Sequence, residues 1–373
     1  MTGIVELHAG LNELLTPALL VDRARLQHNI DTMAERYRST GIALRPHIKT
    51  SKCWQVAERQ LAAGAIGFTC STAAEVRWLQ DRGVTELLWA HQPVGPRKVE
   101  FVVAAAQRGG LTIALDSTEA AEPISRAAAA TGVTVNYLLE VNTGQGRAGV
   151  APDDVIDRAR AIGRLPGLAV RGVMTHEGHL GSFGSDRAGL ERAGRAAGAL
   201  LARAAVQLCS DGYDAGIISV GSTPGATSSP FAEGVTEARP GNYVYYDANQ
   251  LGLSSATVSD CALTVLARVV SAQRSGTAII DAGIKAMSSD AIATAGSLGL
   301  VCGPTGSPLE GVSFTDGNEE HGFLTGPGVS GLAVGDIVRI IPNHACGTTN
   351  MFSRLWAIDA DQALESWKIH ARH

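Results

Sequence analysis

Residues 43–52 read Ala-Leu-Arg-Pro-His-Ile-Lys-Thr-Ser-Lys, a short, mostly apolar run from 43 to 48 that ends on a lysine. Outward from it the chain repeats one rhythm. Between about residues 16 and 247, short apolar or β-branched runs alternate with longer Ala-, Leu- and Arg-rich stretches, the pattern of a parallel α/β domain. The other strand candidates are 65–70, 86–90, 111–115, 134–141, 168–175, 217–220 and 243–246. Eight such runs predict a closed (β/α)8 barrel. Ahead of the first of them, Asp22 is placed to cap a helix whose apolar residues Leu26, Ile30, Met33 and Tyr37 fall on one face. That helix is expected outside the barrel.

After residue 250 the texture changes to Val-, Thr- and Gly-rich runs at 262–270, 277–280 and 337–341, which predicts a second, mostly β domain. The expected division is a barrel over 15–250 and a β domain over 251–373, with residues 1–14 packing on the latter. Length agrees, since 373 residues exceed what one compact domain usually holds. A net charge of -5 without a long basic run argues against nucleic acid and against an anionic membrane surface as partners. No apolar run approaches the roughly 20 residues of a membrane helix. The expected partner is a small molecule. Six cysteines without a CxxC pair suit a reducing compartment, and the N-terminus shows no secretory apolar block. Both point to the cytoplasm.

In a parallel barrel the carboxyl ends of the strands carry the chemistry, which puts Lys49 in a productive place. Burial disfavours an ammonium and so makes a Schiff-base nucleophile of a lysine, although spacing alone fits a solvated surface charge better. Val220-Gly221-Ser222-Thr223-Pro224-Gly225, directly after a strand candidate, offers backbone amides that an anion could approach closely. Arg239-Pro240-Gly241-Asn242-Tyr243 precedes the next run, so two consecutive barrel units could face one phosphate. Two ordinary βα turns would read the same way.

In order along the chain stand RPHIKTSK (45–52), VNTGQGRAGV (141–150), GSTP (221–224), RPGNYVYYD (239–247), DAGIKA (281–286) and PNHACGTTN (342–350). In this combination the sequence resembles the D-serine dehydratase and D-threonine aldolase group of the alanine racemase fold, over nearly the whole chain. The resemblance implies pyridoxal 5′-phosphate on Lys49, with phosphate contacts from Gly221, Ser222, Thr223, Gly241 and Asn242. It also implies His47 and Tyr243 at the cofactor and Arg147 beside the pyridine nitrogen. An arginine keeps its proton near neutral pH, so the ring nitrogen it touches stays unprotonated and the ring is a weaker electron sink. Such a ring suits cleavage at Cβ helped by a second electrophile.

Pro342-Asn343-His344-Ala345-Cys346 supplies a candidate for that electrophile. On an extended segment, residues two apart share a face, so His344 and Cys346 are expected to grip one ion. Imidazole with thiolate favours Zn2+. An isolated His-x-Cys is more often a buried cysteine beside a hydrogen-bonded histidine, and the resemblance reverses that balance. His-x-Cys is the dehydratase form of the motif, whereas the aldolases usually carry His-x-Asp.

Where several relatives have tyrosine this chain has His176, in Thr175-His176-Glu177-Gly178-His179. His176 is read as a catalytic candidate, with Glu177 and His179 as further substrate or proton-transfer candidates or as strand-end caps. Gln92 is expected to line the pocket, Asp281 and Lys285 to serve packing, and Glu320 with His321 to form a cleft residue pair or a polar hairpin tip.

The resemblance thus implies a homodimeric lyase that dehydrates and deaminates a β-hydroxy D-amino acid to a 2-oxo acid and ammonia. Retro-aldol cleavage to glycine and an aldehyde is the alternative reading. Racemisation would need a second base, and a non-catalytic pyridoxal-phosphate carrier would gain nothing from His344 and Cys346.

Overall fold

The computed structural model describes residues 10–288, 296–359 and 362–372, so nine of the N-terminal residues expected to pack on the β domain lie outside the described part. The chain divides into two units, one of Thr32–Lys52, Glu58–Gly241 and Ala371–His373, the other of Met1–Asp31, Cys53–Ala57 and Asn242–His370.

The first strand, β1 (Ala18–Asp22), leads into the helix Arg23–Arg38. Asp22 Oδ1 accepts from Arg25 N at 3.0 Å, the expected cap, and Leu26, Ile30, Met33 and Tyr37 are all buried. From Thr32 onward this helix belongs to the barrel unit, where Tyr37 Oη donates to Ala226 O at 2.7 Å.

The barrel strands are β2 (Ala43–Leu44), β3 (Phe68–Cys70), β4 (Leu87–Trp89), β5 (Leu111–Leu115), β6 (Val135–Glu140), β7 (Leu168–Met174), β8 (Ile217–Val220) and β9 (Glu237–Ala238). They run in the order β2-β9-β8-β7-β6-β5-β4-β3, every pair parallel. The remaining seam closes through Ile66 N to Leu44 O (2.9 Å) and Thr69 N to Pro46 O (2.8 Å), with a parallel bridge between His47 and Thr69. Leu88, Ala114, Leu138 and Met174 pack as one cluster across neighbouring strands. β3, β4 and β5 are buried along nearly their whole length and read as largely apolar runs, as parallel strands do.

Two strand expectations need correction. The eighth strand is Glu237–Ala238, not 243–246. Glu237 is a charged residue in a barrel wall, and it is tolerated because Oε2 accepts from Arg45 Nε at 2.8 Å and Oε1 from Ser219 Oγ at 2.5 Å. The 243–246 stretch is a tight turn in which Tyr245 N and Tyr246 N both donate to Asn242 O at 2.9 Å. The first strand stops at Leu44, because Pro46 has no N–H to extend the ladder and residues Ile48–Thr50 coil into a 3-10 turn.

In the other unit, β10 (Leu263–Arg274), β11 (Thr277–Ile280), β12 (Gly299–Cys302), β13 (Ser313–Gly317), β14 (Gly322–Thr325), β15 (Ile337–Pro342), β16 (Arg354–Asp359) and β17 (Gln362–Lys368) join β1 in a sheet ordered β13-β14-β11-β10-β1-β16-β17, with β15 pairing β10 and β12. The β-rich texture read after residue 250 is therefore present. Asp281 accepts from Thr16 Oγ1 (2.5 Å) and Arg268 N (2.7 Å), a packing role. Glu320 sits at the exposed β13–β14 hairpin tip and pairs with Lys285 Nζ at 2.8 Å. Among the described residues no helix is long and apolar enough to cross a membrane.

Candidate active site

In the barrel unit the site starts from the 3-10 turn that follows β2. His47 caps that turn: its Nδ1 accepts from Lys49 N at 3.4 Å, and its Nε2 faces Ser71 Oγ at 3.3 Å. An accepting Nδ1 puts the proton of the neutral ring on Nε2. The cap fixes Lys49, which is half-buried and whose Nζ makes no hydrogen bond or ion pair among the described residues. Lys52, three residues on, is committed elsewhere. Its Nζ donates to Ala371 O and Arg372 O at 3.0 Å each and pairs with buried Glu75 at 3.3 Å. Of the two lysines in the motif, only Lys49 is available for chemistry.

Around Lys49 the strand ends gather positive charge. Lys49, Arg147 and Arg239 all act electrostatically on His47 and on His176. Burial first, and these cations second, push the His47 imidazole well below its usual range and His176 down to about 3. Both rings are neutral at physiological pH. His176 Nδ1 lies 2.5 Å from Gly221 O, and a carbonyl only accepts, so Nδ1 carries the proton and Nε2 offers a lone pair.

Arg147 is an exposed residue on the loop 141–150. Asn142 Oδ1 holds that loop by accepting from Gly144 N (3.0 Å) and Gly146 N (3.1 Å), and Asp116 accepts from Gly149 N at 3.1 Å.

Gly221 and Gly241 are glycines for reasons of space. A Cβ on Gly221 would stand 2.8 Å from Arg239 Cβ, and one on Gly241 would stand 2.9 Å from His47 Cβ and 3.0 Å from Thr50 Oγ1. Gly241 thus lets the turn after β9 lie directly on the turn that bears Lys49. Gly241→Ala should cost about 1–3 kcal/mol of stability through overpacking and weaken cofactor binding, which denaturant melts and a fluorescence titration with pyridoxal phosphate would read. Ser222 and Thr223 are buried in the loop after β8, and Ser222 Oγ accepts from Gly225 N at 3.0 Å.

Three charged residues complete this region, of which the sequence had singled out Glu177 but neither Arg239 nor Glu140. Arg239 is buried and donates to Thr175 O (2.6 Å) and Ser219 Oγ. Glu140, at the end of β6, accepts from Gln92 Nε2 at 2.5 Å, and burial raises its pKa against the pull of Gln92 and Arg147. Glu177 is fully buried with its carboxyl raised by burial, opposed first by Ser229 and Ser222. It lies beneath the Gly225 segment, where a Cβ would be 3.1 Å from its Oε2. Arg239 sits in the quoted RPGN motif. Glu140 left no signal beyond its position at a strand end.

The other unit holds the remaining candidates. His344 does not lie on an extended strand: β15 ends at Pro342, His344 is the N-cap of the helix Ala345–Met351, and Cys346 is that helix's second residue. The expected shared face of a strand is replaced by the first turn of a helix. Glycine and two threonines at 347–349 hid that helix, being weak formers. Asn242 donates to the buried Asp247 carboxylate, and Asp247 Oδ2 accepts from Ala345 N at 2.8 Å. Tyr243 is fully buried. Among the described residues no three His, Cys, Asp or Glu side chains converge as a metal-binding group, and no cysteine is in a disulfide.

A lysine held at the mouth of a (β/α)8 barrel, among arginines, neutral imidazoles and a glycine-lined loop, is an arrangement chemically suited to an anionic, carbonyl-bearing group. The family pattern "Alanine racemase, N-terminal domain" matches residues 21–249, and "Putative serine dehydratase domain" matches residues 262–358. The chain is 36% identical to the D-threo-3-hydroxyaspartate dehydratase of Delftia sp. (strain HT23), over 95% of this chain and 96% of that one. It is 30% identical to the D-threonine aldolase of Arthrobacter sp., over 96% and 92%. A solved cysteine-to-alanine variant of D-threo-3-hydroxyaspartate dehydratase, in its metal-free form, superposes with a TM-score of 0.91 at 34% identity, covering 96% of this chain and 98% of that one. The chain belongs to the alanine racemase-like barrel family, in the branch that carries the serine dehydratase domain.

Proposed function

We propose that the protein is a pyridoxal-phosphate- and metal-dependent lyase that eliminates water from a β-hydroxy D-amino acid and, on hydrolysis of the resulting imine, yields a 2-oxo acid and ammonia. The observation that carries this reading is the capped turn presenting Lys49, free of structural partners, to a ring of cationic and neutral nitrogen groups at the strand ends.

The residues present fit the cofactor. Gly221, Ser222 and Thr223, with Gly241 and Asn242, would hold its phosphate, and Arg239 behind Gly221 adds a fixed positive charge at 3.2 Å from where a side chain would begin. Arg147 would face the ring nitrogen, with His47 and Tyr243 as further contacts. His344 and Cys346 would hold the metal, zinc being favoured by the thiolate.

Bound pyridoxal phosphate withdraws electrons from Cα, and bound metal acts as a Lewis acid on the β-hydroxyl. The chain's own residues do the rest. Lys49 would anchor the cofactor through Nζ and, when that amine is free, would receive the Cα proton. That proton and the hydroxide lost from Cβ make up one water, and one water is taken up again when the released imine is hydrolysed to the 2-oxo acid and ammonia. His176, neutral with its Nδ1 proton spent on Gly221 O, holds the phosphate loop and turns an accepting Nε2 outward. With its pKa at about 3 it takes up no second proton at neutral pH, so its contribution is positioning and hydrogen bonding.

The relatives named dehydratase and aldolase make retro-aldol cleavage the competing outcome. The deciding assay incubates the enzyme with both enantiomers of serine, threonine and threo-3-hydroxyaspartate and identifies products by mass spectrometry. Pyruvate, 2-oxobutyrate or oxaloacetate from the D-substrates is expected. Glycine as main product would transfer the assignment to the aldolase, and an inverted amino acid to a racemase.

The working form is proposed to be a cytoplasmic homodimer, the dimer supported by the family resemblance and the compartment by cysteines that form no disulfide. Light scattering at assay concentration should give twice the chain mass, and a monomer with full activity would refute it.

A further inference from the structure

Asp247 has no exposed surface, yet its carboxylate serves three separate stretches of chain. Oδ1 accepts from Gln250 N at 3.0 Å and so caps the helix Ala248–Gly252. Oδ2 accepts from Asn242 Nδ2 and, at 2.8 Å, from Ala345 N. Ala345 is the residue between His344 and Cys346. A cap alone needs a single acceptor and is ordinarily met at the surface by Ser, Asn or Asp. Burying a whole carboxylate is costly unless every lone pair is used, so the second oxygen has a task beyond the cap.

We infer that Asp247 is a positioning residue that fixes the His344–Cys346 turn in the shape in which imidazole and thiolate grip one ion, and locks that turn to Asn242. The inference rests on the metal reading of His344 and Cys346. The chemistry is that of outer-shell groups generally: a hydrogen-bonded carboxylate behind the ligands orients them and adds negative charge near the cation, and its loss typically weakens metal binding about 10–100-fold.

The bond can be cut from either side. Asp247→Asn keeps the size and one acceptor oxygen. Ala345→Pro deletes the donating N–H, and it is compatible with the backbone because Ala345 is the first helical residue and His344 is extended, with φ −138° and ψ 104°.

The test strips metal from the full-length holoenzyme, titrates it with Co2+, and follows the thiolate-to-cobalt charge-transfer band of Cys346 as well as affinity. Each single variant should bind Co2+ about tenfold more weakly with an altered band, and the double variant should lose no more than either single one, since both remove the same contact. Thr264→Val, which removes the buried hydroxyl facing Arg339 Nε at 3.0 Å, should lower the melting temperature but leave cobalt affinity and spectrum unchanged. Wild-type affinity and band in both single variants, or losses that add in the double, would overturn the inference while leaving the metal site standing. Wild-type protein that shows no thiolate–cobalt band would remove the metal reading itself, and the inference with it.

Discussion

Lys49→Ala is expected to lower turnover of the D-substrate by at least about 10³-fold, the scale on which a positioned proton-transfer group contributes, while the protein folds as before. The fold should survive because Lys49 Nζ holds nothing together. The turn is kept by His47 Nδ1 and by the Ser51 and Lys52 amides on Ile48 O at 3.1 and 2.9 Å. Circular dichroism and a melting curve should match the parent. Lys52→Ala should behave in the opposite way, because it strips buried Glu75 of its cation and releases Ala371 and Arg372. Removing one partner of such a buried pair costs about 3–5 kcal/mol. If Lys52→Ala proved inert in folding and dead in turnover, the assignment of the two lysines would have to be exchanged.

Metal removal is the second large effect. A chelator should stop 2-oxo acid formation by about 10²–10³-fold, equivalent to the several kcal/mol that a Lewis acid supplies, without releasing the visible chromophore. Zn2+ should restore activity better than Mg2+, because Cys346 offers a soft thiolate. Cys346→Asp should move the preference towards Mn2+ or Mg2+ and raise glycine formation relative to 2-oxo acid. Full dehydration by metal-free enzyme would end the Lewis-acid account, and Mg2+ rescue with glycine as the main product would favour the aldolase.

Much of the barrel was legible because most of its parallel strands are largely buried and spell themselves as mainly apolar runs, Leu87–Trp89 and Leu111–Leu115 among them. The strand that escaped, Glu237–Ala238, is two residues long and carries a charge that only its partners Arg45 and Ser219 make tolerable. Those partners lie far away in sequence. Tyr243 to Tyr246 looked like a strand because aromatic and β-branched residues favour sheets. Instead Asn242 O gathers two amides into a turn, and Tyr246 adopts a left-handed φ of 47°.

At the candidate site, the motif residues were visible one by one, but the interactions that fix their places were not. His47 as the cap that aims Lys49, Arg239 against Gly221, and Asp247 beneath the His344–Cys346 turn are all relations between residues distant in sequence or dependent on backbone shape. The pair at 344 and 346 was found by residue type. The helix that carries it was missed because Ala345–Met351 is rich in Gly and Thr.

The claim on which the account depends is that Lys49 carries the cofactor. Borohydride reduction of the purified enzyme, followed by proteolysis and mass spectrometry, tests it directly. The account predicts a reduced pyridoxyl-phosphate group on Lys49 alone, in the peptide containing His47, with loss of the visible absorbance. The same adduct on Lys52 or Lys285, or no adduct in active enzyme, would contradict it.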